Sequence, residues 1–376
     1  MGVHHGSVLR ILRDAGPLSR AELARRSRLS PTTLTHVTAQ LLRDGVIMET
    51  ETHPAGQGAI GRPAQALRIV REARVVAGVN IGAGHVELTM ADLQAATKGW
   101  RSFGFDAKGT EPRALVREVA RQLTELSDEI QLDRSRLLGI GLSVPGPVDA
   151  GRRIVQAAIN VGWSHVPIAD LLEEEAGQPV VVEHNVSAMA LAESRYGIGR
   201  DVPALLFVYL RTGLGAGLVI DGTLFRPGGH GAVELGHIQM TPKGALCACG
   251  NRGCLDTFVC EAALKRAAGI KGAAPEQLMA RVEGNGPAWE AIVGHLTTGL
   301  ASAVNLLTPD LIVFGGHLGE APESLFQRLR RDLPPRIMPH VRDLLDIRPS
   351  SFGPAAGVIG GATVALEHFF YGGGLH

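Results

Sequence analysis

No stretch of this 376-residue chain approaches the roughly 20 consecutive apolar residues that cross a bilayer, and its apolar runs, such as 205–210 and 311–314, are of strand length. The amino terminus lacks a long apolar run before small residues, the mark of an export signal. Net charge is also missing, with 37 basic against 37 acidic side chains, so no chain-wide excess exists to attract a polyanion. The balance is uneven, however. Lysine is absent from residues 1–70, where nine Arg face five Asp and Glu, and the remainder holds 28 basic against 32 acidic residues. Arg is the side chain suited to phosphate forks and base edges. Cysteine is scarce, four in all, and thiols that serve as ligands persist best in a reducing compartment. The expected location is the cytoplasm, with no membrane partner. An apolar content of 45% and a charged content of 20% are those of a globular protein, long enough for two or three domains.

Three of the four cysteines, Cys247, Cys249 and Cys254, fall within eight residues, and His237 stands ten positions upstream. Four soft ligands so close in sequence match a closed tetrahedral zinc site, and Gly244, Gly250 and Gly253 let a short loop turn around one Zn2+ ion. Glu234 and Asp256 flank the cluster without being needed as ligands. A metal-tied loop would therefore present two carboxylates.

The first 70 residues read as three short helices. Apolar residues at 8, 9, 11 and 12 mark the first, which breaks at Gly16-Pro17. Ser19 and Glu22 form a capping box that opens the second. Ser30 offers an N-cap with Pro31 at the first helical position of the third, which runs through Leu34, Val37 and Leu41 toward Gly45. A tight junction between the second and third helices is the helix-turn-helix arrangement. The third presents Thr32, Thr33, Thr35, His36 and Gln40, with Arg43 at its end, side chains suited to base edges in a major groove. Residues 46–49 and 66–69 read as two strands of a wing. In the loop between them, Gly61-Arg62-Pro63 is similar to arms that place an Arg in a minor groove. These residues point to double-stranded operator DNA, with a helical protein-binding module as the alternative.

Beyond residue 72 the pattern repeats. Strands over 75–80 and 85–90 form a hairpin, a helix spans 112–129, and the strand 137–144 empties into a Gly/Pro turn at 145–149. A strand over 179–183 leads into the helix 187–196. A second round follows: the strand 205–210, the glycine turn Thr212-Gly213-Leu214-Gly215-Ala216-Gly217, the strand 218–220, helical segments, the strand 311–314 with Gly315-Gly316, and a last helix opened at Pro354. Two α/β lobes with a cleft between them are expected.

The motif Glu234-Leu235-Gly236-His237 followed by Cys247-Ala248-Cys249-Gly250-Asn251-Arg252-Gly253-Cys254-Leu255 resembles the ROK family, whose name joins repressor, open reading frame and kinase. The resemblance covers nearly the whole chain, and its N-terminal part resembles the repressor branch, which includes regulators of xylose, glucose and N-acetylglucosamine use. It implies an N-terminal winged helix-turn-helix (1–72) plus a two-lobed α/β actin-like, sugar kinase fold, with lobes at 73–198 and 199–353 and a C-terminal helix (354–376) packing back on the first lobe.

In kinases of the family an Asp at the end of a strand takes the proton from the attacking sugar hydroxyl. Asn185 stands there. An amide accepts no proton near neutral pH, and loss of a positioned base costs about 10²- to 10⁴-fold in rate. The family's Asp-x-Gly-Gly-Thr phosphate turn corresponds to Asn80-Ile81-Gly82-Ala83-Gly84, without carboxylate or hydroxyl. In the second phosphate turn Arg211 replaces a glycine, where it would crowd or recruit an anion. The resemblance implies no enzyme activity and a sugar or sugar-phosphate effector held by Gly146, Asn160, His184, Asn185, Glu234, His237 and Asp256. Asp256 replaces a Glu one methylene longer, so the hydroxyl it reaches must shift or a water must intervene, and His184 stands where the family has an Asn that contacts sugar. Trp163 reads equally as a core anchor or a stacking surface. A homodimer or homotetramer is expected. A sugar kinase fused to a DNA-binding domain, and a regulator controlled by a protein partner, are the alternatives.

Overall fold

The structure is a computed structural model, and it describes residues 3–51, 65–229, 231–272 and 277–372. The segment containing Arg62 lies outside the described residues.

Three helices, α1 (Val3–Ala15), α2 (Arg20–Ser27) and α3 (Pro31–Arg43), open the chain. The capping box forms as the sequence predicts: the Glu22 amide donates to Ser19 Oγ at 3.3 Å and the Ser19 amide to Glu22 Oε2 at 3.1 Å. Arg28 turns the chain in the left-handed region (φ 55°). Ser30 then caps α3 by accepting from the Thr33 amide at 3.1 Å. The wing contains β1 (Leu18–Ser19), β2 (Ile47–Glu51) and β3 (Gln65–Ile69) in the order β1-β3-β2. The two-residue β1 is an addition to the sequence reading.

The first lobe contributes β4 (Val75–Ile81), β5 (His85–Asp92), β6 (Thr97–Gly104), α4 (Pro112–Glu129), β7 (Leu137–Val144), β8 (Val155–Ala158), β9 (Trp163–Val166), α5 (Ile168–Ala176), β10 (Val180–His184) and α6 (Asn185–Tyr196). Its sheet runs β6-β5-β4-β7-β10, with β4–β6 an antiparallel meander and β7 and β10 parallel to β4. Leu115, Val116, Val119, Leu123 and Leu126 recur every three or four residues on α4, and this buried stripe packs in the core of the first sheet. Each such side chain contributes about 1.5–3 kcal/mol by leaving water.

The second lobe repeats the scheme with β11 (Ala204–Leu210), β12 (Leu214–Ile220), β13 (Thr223–Leu224), α7 (Leu255–Phe258), α8 (Glu261–Ala267), α9 (Leu278–Glu283), α10 (Gly286–Leu307), β14 (Leu311–Gly316), α11 (Glu323–Asp332) and β15 (Asp346–Pro349). The order β13-β12-β11-β14-β15, three antiparallel and two parallel strands, is that of the first sheet. Leu214 to Gly217 belong to β12 and not to the turn, which is confined to residues 211–213. Glycine suits this strand because α6 crosses it closely: a Cβ on Gly217 would lie 2.6 Å from the Val186 carbonyl oxygen.

The last helix, α12 (Ala356–Ala365), lies across β4 and β7 and against α6. A side chain on Gly141 would collide with the Gly361 carbonyl, so paired glycines set this distance. α6 in turn packs on β11 and β12. The two sheets thus meet through α6 and α12, and the mouth between them is the cleft. Among the described residues no helix is long and apolar enough to cross a membrane.

Candidate zinc centre and ligand cleft

The metal loop is built by short backbone bonds. The Cys247 amide donates to Asn251 O at 2.7 Å, the Gly253 amide to Ala245 O at 2.8 Å and the Met240 amide to Gly253 O at 2.7 Å. Gly250, at φ 91°, makes the reversal between Cys249 and Cys254. The result gathers one ligand atom each from His237, Cys247, Cys249 and Cys254 within 4.8 Å of one another. Cys247 Sγ lies 3.6 Å from His237 Nδ1 and Cys249 Sγ lies 3.7 Å from Cys254 Sγ. A tetrahedron with metal–sulfur arms of about 2.3 Å has edges of about 3.8 Å, so the donor set fits a structural zinc site closed by four protein ligands. Burial, helped by the neighbouring Cys249 and Cys247, pushes the Cys254 thiol up to about 12, whereas ligation to a dication acts in the opposite sense by releasing the proton.

From this loop the chain turns into the cleft. His237 meets the cysteines through Nδ1, and its Nε2 lies 3.9 Å from Glu234 Oε2. Asp256, two residues after Cys254, accepts the Leu214 amide at 2.6 Å through Oδ1. Its carboxylate therefore pins the zinc loop to the start of β12. Burial pushes the Asp256 pKa up, partly offset by the Leu214 bond and by His237.

All seven sequence-predicted cleft residues, Gly146, Asn160, His184, Asn185, Glu234, His237 and Asp256, line one cavity of about 410 Å³. Gly146 needs its left-handed backbone (φ 80°) and its missing side chain, since a Cβ would collide with Ala157 O. His184 closes β10 and lies 3.2 Å from Ser187 Oγ, and burial pushes its pKa down to about 4. Asn185 opens α6, and its Oδ1 accepts the Val186 amide at 2.8 Å. Asn80 is committed at both ends: its Nδ2 donates to Glu87 Oε2 at 3.1 Å and its Oδ1 accepts from Ser143 Oγ at 3.1 Å. Neither amide supplies a proton-accepting carboxylate.

Arg211 also lines the cavity, and its buried Nε has no partner among the described residues. Burial disfavours its charge, but Tyr209, Glu320 and Glu87 outweigh this and raise its pKa. Tyr209 and His85 complete the wall and were not singled out from the sequence. Tyr209 carries a signal of its own, since it is the penultimate residue of β11, two residues before the turn. Trp163 is buried in the core of the first lobe and does not line the cavity, which selects the core-anchor reading.

On α3, Thr32, Thr35, His36 and Arg43 are exposed, and Thr33 and Gln40 are half-buried. Thr38 faces inward and donates to Leu34 O at 2.9 Å. Gln40 is held between Asp44 (2.9 Å) and Arg43 (2.6 Å), and Thr33 Oγ1 lies 2.8 Å from the Ser30 cap. Thr32 and His36 are the more open members of this face.

Residues 4–52 match the MarR family model, and residues 76–368 match the ROK family model. The DNA-binding transcriptional repressor Mlc of Escherichia coli K12 is 27% identical over 98% of this chain and 93% of its own length. A solved ROK family transcriptional regulator, described as a homolog of that protein, superposes with a TM-score of 0.84 at 26% identity, over 98% of this chain and 96% of the other. A ROK family glucokinase from Streptomyces griseus, solved with glucose and AMPPNP, matches with a TM-score of 0.67 at 25% identity, over 78% of this chain and 99% of its own. With the family model spanning both lobes, the zinc motif and the cleft, the chain belongs to the ROK family.

Proposed function

We propose that this protein is a DNA-binding transcriptional regulator of carbohydrate metabolism genes, acting as a repressor, whose cleft binds a sugar or sugar derivative without phosphorylating it. One observation carries the reading: a chain with an exposed helix-turn-helix face has amides, Asn185 and Asn80, in the cleft at the two positions where the resemblance to family kinases calls for carboxylates. The similarity to Mlc runs through the N-terminal unit, whereas the glucokinase leaves about a fifth of this chain unmatched. Glu234, His237 and Asp256 would accept and donate to ring hydroxyls. Arg211 would take an anionic substituent when the effector carries one.

Zinc would keep the 234–256 loop in shape. Effector binding would draw the lobes together and alter the separation of two α3 helices in a dimer, which must lie about 34 Å apart, or a multiple, to enter successive major grooves.

The test pairs two assays. Mobility shifts with the chain's own upstream region should show specific binding that a panel of glucose, xylose, N-acetylglucosamine and their 6-phosphates releases selectively. ATP with the same panel should yield no ADP above background. Clear turnover would favour a kinase with a fused DNA-binding domain, and binding that no sugar alters would favour control by a protein partner.

A further inference from the structure

α6 begins at the cleft and ends at the DNA-reading unit. Its first turn supplies Asn185, Val186 and Met189 to the cavity wall. Its last turn supplies Arg195 and Tyr196 to a buried junction with α1. Every residue from Val186 to Ser194 is buried, and 12 residues at 1.5 Å each make a rod of about 18 Å.

The junction is ionic. Glu367, with its side chain fully buried, meets Arg13 of α1 and forms a 3.4 Å ion pair with Arg195 Nε of α6, whose N–H has no hydrogen-bond partner among the described residues. Its second oxygen, Oε2, has no hydrogen-bond partner among the described residues. Glu367 belongs to a π-helical turn, Leu366–Phe370, closed by the Tyr371 amide donating to Leu366 O at 2.8 Å. Such turns widen a helix at a cost and concentrate at functional positions. The Arg13 guanidinium also lies 4.6 Å over the Tyr371 ring and 5.8 Å from that of Tyr196. α1 is seated against the same turn: Arg10 donates to Tyr371 O at 3.0 Å, and Gly6 lies so close to that carbonyl that any side chain would collide with it. The apolar residues around the junction, Val8, Leu9 and Leu12 of α1 with Leu366 and Phe370, form one core.

Apolar contacts alone would let α1 slide over the body. A buried carboxylate hydrogen-bonded to one guanidinium and ion-paired with a second from another helix depends on the position of both, so a shift of either helix changes its energy with the other. We infer that α6 and the Arg195–Glu367–Arg13 triad form the mechanical link that carries events in the cleft to the DNA-reading unit. This assignment rests on the regulator reading for its purpose, but its test needs neither DNA nor sugar.

Gly215 of β12 faces the cleft end of α6, and a Cβ there would lie 2.9 Å from Val186 Cγ2. Gly215→Ala therefore pushes on the first turn of α6, and Val186→Leu adds bulk at the same contact from the other side. Amide hydrogen exchange of α1 is then compared in the full chain, alone and combined with Arg195→Gln, which keeps the Arg13–Glu367 pair. Each push is expected to change α1 exchange by about fivefold or more with Arg195 present. The effect should fall below about twofold with Arg195→Gln. Exchange in α1 that matches the unmodified chain under both pushes, or that changes equally with Arg195→Gln, overturns the link. Because neither outcome involves ligand or operator, it is separable from failure of the mobility-shift test.

Discussion

His184 occupies the end of β10 as a neutral ring, because burial lowers its pKa to about 4 from the ordinary 6.5. Between these values the unfolded chain carries a proton that the folded chain does not, so stability rises with pH across this window. Read downward, the folded state loses stability from about pH 6.5 to about pH 4, by at most about 3 kcal/mol at 1.36 kcal/mol per pKa unit. His184→Gln is expected to flatten that acid-side loss in denaturant melts at pH 4.5 and 7. An unchanged difference between the two pH values would place the titration elsewhere. At the zinc centre, Cys247→Ser or Cys249→Ser exchanges a thiolate for a poor zinc ligand. Elemental analysis should show bound zinc falling from about one per chain toward zero, with a lower Tm, because a structural metal contributes folding free energy directly. Full zinc content in either variant would remove that cysteine from the ligand set. For catalysis, Asn185→Asp would place a carboxylate where the family resemblance puts the base but leave Asn80 bonded to Glu87 and Ser143. ADP release with ATP and sugars should therefore stay at background in this single variant.

Among the elements, those with a local signal were legible in the sequence. The capping box at Ser19, the Ser30 cap and the stripe on α4 encode their helices within one or two turns, and each forms where its residues predict. Ser19→Ala should accordingly cost about 1 kcal/mol, read as a shift of the urea midpoint at constant slope. The zinc ligands were legible for a different reason: a His, three Cys and flanking carboxylates have few uses other than a metal and polar ligands. Gly146, Asn160, His184 and Asn185, by contrast, were placed in the cleft by the family resemblance alone. What stayed hidden depends on partners distant in sequence. Edge strand β6 has no strong alternation of its own and is set by pairing with β5. Gly215 and Gly217 read as a turn, yet they are strand residues whose missing side chains make room for α6. The bond from Leu214 to Asp256 spans 42 positions, and the Arg13–Glu367 pair spans 354. No window on the sequence brings such groups together.

At the scale of the whole molecule, the proposed regulator would offer one α3 per chain for one major groove, and the Arg surplus of residues 1–70 is a modest four. A single unit of this kind gains little from phosphate attraction alone, and the sequence-independent part of its affinity falls steeply with salt. High-affinity recognition therefore calls for two reading units held in fixed relation by an assembled body. Two such units read two half-sites on the same face of the duplex, with centres separated by whole turns of about 10–10.5 base pairs. Inserting about five base pairs between the half-sites turns one of them to the opposite face of the DNA. Rigidly held units cannot follow that rotation without losing one groove. Binding to the altered duplex should weaken toward the level of a single half-site, whereas inserting a full turn should restore part of it. Titrating the three duplexes at one stated salt concentration checks this, and equal affinities for all three would mean that each chain binds as an independent reader.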